Sequence, residues 1–196
     1  MRLASYLKIN LFLLIFVFTI NLEAQNIIDT VIYWDKDRKL NWQDFKGKIS
    51  RKTNAKDYKA SSSTSIKSVS IREGEEFKFL VFACFYKEES WTVDTTSSEL
   101  LDHEQLHFDI IELYARMIRK SISIQKRRPD ANAYTFNKTF KSYQAQIAKT
   151  NDEYDRETQH GIDLKRQEAW DKKIRKELRS FENYSVRYDN LVLEAN

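Results

Sequence analysis

Only three glycines and one proline interrupt the 196 residues, and neither type occurs between Gly74 and Pro129. A chain with so few breakers must build long regular elements. The spacing of apolar residues says which kind. Up to about residue 95 the pattern is that of strands: "NIIDTVIYW" (26–34) is β-branched and aromatic, and "EFKFLVFACFY" (76–86) is a nearly unbroken apolar run. Between them, "KASSSTSIKSVSIR" (59–72) alternates imperfectly, with Val69 and Ile71 on one face and Thr64, Ser68 and Ser70 on the other. The Gly-containing "REGEE" (72–76) predicts a hairpin between the last two segments, its Ser/Thr/Lys strand at an exposed face or edge.

From residue 96 the period becomes helical. Thr96 and Glu99 have the capping-box spacing, which predicts a helix from about 97 to about 125. One stripe is polar (Asp102, Gln105, Asp109, Glu112, Arg116, Arg119). The opposite one, facing the domain, carries Leu100, His103, His107, Ile110, Tyr114, Met117 and Ile118. Pro129 and Asn132 mark a turn, and a second helical region spans about 137–180. Its first stripe (Phe136, Phe140, Tyr143, Ile147, Tyr154, Thr158) is nearly opposite its second (Trp170, Ile174, Leu178, Phe181). That change of phase, with Gly161 beside it, predicts a kink or break near 158–161.

Within the inward stripe, "HEQLH" (103–107) matches the H-E-x-x-H pattern. Residues four apart lie about one turn from each other, so His103 and His107 can bind one zinc ion while Glu104 reaches a water beside it. Glu104 can then act as general base, passing the proton to a leaving amine. The pattern alone could also arise from two hydrogen-bonded core histidines, but buried polar groups need partners, and three such groups in one turn strain that explanation.

A third ligand must come from elsewhere. Position 110 is Ile and position 113 Leu, so the H-x-x-G-x-x-H extension is absent. If the two helical regions pair antiparallel, the heights of His107 and His103 fall near residues 156 and 160 of the partner. That window holds His160, assigned here as the third ligand, with Glu157 or Asp155 as the fallback. Tyr154 is a candidate oxyanion donor or else core, and Asp155 or Asp102 a candidate acceptor orienting a ligand imidazole.

The N-terminus carries basic Arg2 and Lys8, an apolar Ile9–Ile20 core and the small residue Ala24. The core is shorter than the roughly 20 residues of a membrane span. Residues 1–24 are therefore expected to be a cleaved signal peptide, with a retained anchor as the alternative, and 25–196 a single exported domain, periplasmic or extracellular. Cys84 is the sole cysteine, so no intramolecular disulfide is possible. A net charge of +4 argues against nucleic-acid binding.

Three blocks, "W…LNWQDFKG" (Trp34, Leu40, Trp42, Asp44, Phe45, Gly47), "DHEQLHFDI" and "YDRETQHG", together resemble a family of bacterial proteins described as predicted secreted zinc-dependent proteases, largely a domain of unknown function. The resemblance implies that Tyr154, Asp155, Thr158, His160 and Gly161 belong to the site region. From the residues alone, Trp34, Trp42 and Phe45 read as core and Gly47 as a turn. The expected fold is α+β, a small antiparallel sheet on a zincin-like active-site helix with a long, kinked partner. The expected function is zinc-dependent hydrolysis of peptide bonds, with an edge within 60–71 or 77–87 holding an extended peptide. A zinc-holding structural or binding protein and an amidase on a cell-wall substrate are the alternatives; a fourth protein ligand would favour the structural one.

Overall fold

The computed structural model describes residues 30–49, 58–73, 76–127 and 132–187. The proposed signal segment, Gly74 and Pro129 lie outside the described residues. The chain divides into two units, residues 1–32 and 33–196. A short strand, β1 (Val31–Tyr33), ends where the second unit begins, and everything below concerns that second unit.

The architecture is α+β, as the change of period predicts. Strands β3 (Thr64–Glu73) and β4 (Glu76–Tyr86) form the expected antiparallel hairpin, in register from Thr64 opposite Phe85 to Glu73 opposite Glu76. Within this pair β3 is the Ser/Thr/Lys-rich strand and β4 the apolar one. Val81 to Phe85 are all buried, so β4 is covered on both faces, which is why its sequence does not alternate. Cys84 lies in that run, and burial pushes its thiol up to about 11, which leaves it an inert core group. A second, two-stranded sheet pairs β2 (Ala60–Ser61) with β5 (Trp91–Thr92).

Helix α1 (Ser98–Gln125) is 28 residues long, roughly 42 Å, and crosses the unit beside β4. Its cap differs from expectation. Ser97, not Thr96, accepts the Leu100 amide (3.0 Å), because Thr96 commits both its amide and its hydroxyl to Asp94. The second helical region is two helices, α2 (Ala133–Thr158) and α3 (Leu164–Ser180). They are capped by Asn132 and Asp163, which accept the Thr135 and Arg166 amides. The break falls where the phase change places it. Gln159, His160 and Gly161 all adopt left-handed φ (+51°, +55° and +84°), so the stripe of Trp170, Ile174 and Leu178 is buried despite its opposite phase.

The polar stripe of α1 is not a solvated face. Asp109, Glu112 and Arg116 are all buried, covered by the segments before β2 and after α3. Trp34 Nε1 donates to Asp109 (2.7 Å), and the Leu40 amide donates to Gln105 (2.8 Å), fastening the N-terminal block to the helix. Trp34 and Phe45 are core, whereas Trp42 is half-buried. Gly47 is a close-approach glycine rather than a turn: a Cβ there would sit 2.8 Å from the carbonyl oxygens of Glu88 and Ser90.

Candidate metal centre

His103 and His107 are fixed by α1, one turn apart, and Asp155 comes from the last turn of α2. Asp155 Oδ1 lies 3.1 Å from His103 Nε2 and 2.9 Å from His107 Nε2, and the two Nε2 atoms are 3.3 Å apart. Ligand atoms at about 2.0–2.1 Å from a tetrahedral zinc are separated by about 3.3 Å, so the observed triangle has the size such an ion requires.

The other edge of each imidazole explains what this triangle contains. His107 Nδ1 faces Asn151 Oδ1 at 2.8 Å, and His103 Nδ1 faces Gln167 Oε1 at 3.2 Å. Amide oxygens only accept, so both Nδ1 atoms carry the hydrogen and both Nε2 atoms present lone pairs. Two lone pairs and a carboxylate oxygen thus converge on one point. Three acceptors at that distance repel one another unless a cation lies between them, so this group could hold a metal ion.

Without a metal, protons take that place. Burial pushes the Asp155 carboxyl up, but hydrogen bonds from His103 and His107 outweigh it and hold it far below the usual carboxylate range. Burial disfavours protonated His107, yet the hydrogen bond to Asp155 and the charges of Glu104 and Asp155 leave its pKa raised.

These ligands are held from behind. The Tyr154 ring stacks on His103 (4.6 Å, 22°), and its hydroxyl donates to Gln167 Oε1 (2.7 Å), the same oxygen that receives His103 Nδ1. Gly161 passes so close to His103 that a Cβ would lie 3.0 Å from the histidine Cβ. Thr158, fully buried, donates to the Tyr154 carbonyl (2.7 Å) and receives the Gly161 amide (3.3 Å), locking the left-handed turn. Tyr154, Asp155 and Gly161 of "YDRETQHG" therefore all meet His103, and Thr158 holds the turn between them.

In front of the triangle opens a cavity of about 750 Å³. Its walls are α1 from Ser97 to His107, the Tyr58–Ser62 stretch containing β2, and Asn151, Asp155 and the 160–162 turn. Glu104 lines it, is buried, and has no described hydrogen-bond partner for its carboxylate.

Four sequence assignments change. The third member of the triangle is Asp155, since His160 lies outside the group whose ligand atoms are all within 4.8 Å of one another. His160 sits past the end of α2, with Nδ1 3.6 Å from Asp155 Oδ1 and its side chain 45% exposed in the cavity wall. Helix α2 stays regular to Thr158, which turns Asp155 rather than a later residue towards α1. The Tyr154 hydroxyl is bound to Gln167 and does not line the cavity, so this residue positions His103 instead of meeting a substrate. Glu157 is occupied by Trp170 Nε1 (2.9 Å), and Asp102 is exposed, with no hydrogen bond to either histidine. Asn151 and Gln167, the acceptors that fix both ligand rings, were not singled out from sequence. Asn151 precedes Asp155 by one turn and so shares its face, whereas nothing in the local pattern distinguishes Gln167.

Residues 86–161 match the model of a family described as bacterial protein of unknown function (DUF922). The matched span contains His103, Glu104, His107, Asp155 and His160, and leaves out the Trp34–Gly47 block. No curated protein and no solved structure matches the chain.

Proposed function

We propose that the protein is an exported zinc-dependent peptidase, with His103, His107 and Asp155 as ligands and Glu104 as general base. The observation that carries the proposal is the convergence of three acceptor atoms on one edge of an open cavity, with a buried carboxylate beside them. Three protein ligands with a free side towards a cavity suit catalysis, whereas a fourth would suit a structural ion. A zinc ion held there would supply the Lewis acidity that polarises an amide carbonyl and acidifies a water.

The chain's own residues account for the rest. Glu104 takes one proton from the attacking water as the new C–O bond forms, then delivers it to the amide nitrogen as the C–N bond breaks. The second water proton leaves the new carboxyl group for the amine, so the products are a carboxylate and an ammonium. Asn151 and Gln167 keep both ligand rings in one tautomer throughout. Among the described residues strand β2 pairs only with β5, and it runs along the cavity, so its other edge offers backbone groups to an extended peptide.

Metal content and cleavage of a quenched-peptide library test this directly. Wild type is expected to bind one zinc per chain and cleave. His103→Ala and Asp155→Ala lose the metal, whereas Glu104→Gln keeps it and is inactive. A metal-free wild type, or a fully active Glu104→Gln, would overturn the proposal. N-terminal sequencing of the secreted protein should start at Gln25.

A further inference from the structure

We propose that His160 is a further catalytic residue, an acceptor for the nitrogen of the bond being cut; this rests on the peptidase function proposed above. The imidazole is placed with care. Its backbone adopts φ +55°, a left-handed conformation that is costly for a residue with a Cβ. The turn is held by the His160 amide on the Asp155 carbonyl (2.9 Å) and the Asp163 amide on the Thr158 carbonyl (2.8 Å). Across the cavity wall, the Tyr58 ring meets the imidazole edge to face (4.9 Å, 87°).

This placement gives the two ring nitrogens different tasks. Nδ1 is the nitrogen on the Asp155 side, 3.6 Å from that carboxylate, and Nε2 lies on the opposite edge of the ring, where it can act as the acceptor. No described residue takes Nε2, and the side chain belongs to the cavity wall. A peptide bond presents a single N–H there. When Glu104 protonates the nitrogen, it becomes pyramidal, gains a second hydrogen and turns positive. A fixed acceptor stabilises that charge more than it stabilises the planar amide, which is what lowers a barrier. The histidine neither gains nor loses a proton in this step.

The test compares a quenched peptide that wild type cleaves with its depsipeptide, in which an ester oxygen replaces the scissile N–H. Full-length zinc-loaded protein is used, with His160→Ala and with His160→Phe, which retains a ring against Tyr58. Both variants should keep one zinc per chain and an unchanged visible spectrum after cobalt substitution. On the peptide, kcat should fall about 10²-fold with KM little changed. On the ester, which has no N–H to accept, the loss should be far smaller. Loss of metal would make His160 a ligand and overturn the inference. Equal losses on peptide and ester, or no loss on either, would overturn it as well. Each of these results leaves the peptidase function intact, whereas a wild type that cleaves neither substrate removes both.

Discussion

Helix α1 buries ionisable groups at two places along its length, and the two are built differently. Around Glu112, Arg116 and Arg119 every charge meets its opposite. Arg116 donates to Glu112, Glu182, the Leu178 carbonyl and Ser185, and Arg119 to both Glu112 oxygens and the carbonyls of Val81 and Tyr184. Around His103 and His107 three atoms able to bind a metal ion converge on one point. The first cluster is complete within the chain and serves to dock the segments that cover it. The second could hold a metal ion. Burial alone therefore does not separate structural polar groups from functional ones; the balance of donors and acceptors does.

That contrast can be broken at several points. The largest effect is expected from Arg116→Met, which takes one of its two arginine partners from the buried Glu112 and leaves the Leu178 carbonyl without its donor. It should cost about 3–5 kcal/mol in denaturant unfolding, equally in metal-loaded and chelated protein. A cost that depended on the metal would mean that the two clusters are coupled. Next, a chelator should remove about 2.7 kcal/mol of stability from wild type measured with zinc at a hundredfold its Kd. The same chelator should leave Asp155→Ala unmoved in a thermal scan.

Smaller effects sharpen the second cluster. Asn151→Ala and Gln167→Ala should each weaken zinc binding about 10–100-fold in a competition titration, because the ligand rings lose their fixed tautomer. The pH dependence follows from the two shifted groups. The raised His107 pKa gives the metal-free protein stability that is present below the ordinary imidazole value and fades as pH rises through the raised one. The depressed Asp155 pKa gives stability present above the ordinary carboxylate value, lost only as pH falls far below it. Chelated protein should therefore be most stable between about pH 4 and pH 6.5. Zinc competes with the His107 proton, so its affinity should fall about tenfold per pH unit below the raised value. Denaturant midpoints and zinc titrations across pH measure both slopes.

Much of this was legible in the chain. The hairpin, the start of α1 to within a residue and the break after Thr158 follow from apolar period and Gly161. The inward placement of His103 and His107 follows from their stripe. Other features depend on tertiary contacts that period does not carry. The polar face of α1 looks solvated until Trp34, Leu40 and the residues after α3 cover it. The choice between Asp155 and His160 turns on a few residues of helix end, since α2 remains regular to Thr158 and the left-handed turn carries His160 past the triangle. Gln167 lies on a third helix, reached only after that turn, and so could not be placed by pairing two helices.

The ligands come from distant parts of the chain, and that separation has a consequence for folding. His107 and Asp155 are 48 residues apart, and Cys84 has no second cysteine with which to form a disulfide. A zinc ion gripping both ends would restrict the unfolded chain as a covalent bridge does, by about 4 kcal/mol for a loop of that length. Such an ion would act as a cross-link that needs no oxidant to form and that any strong chelator can open.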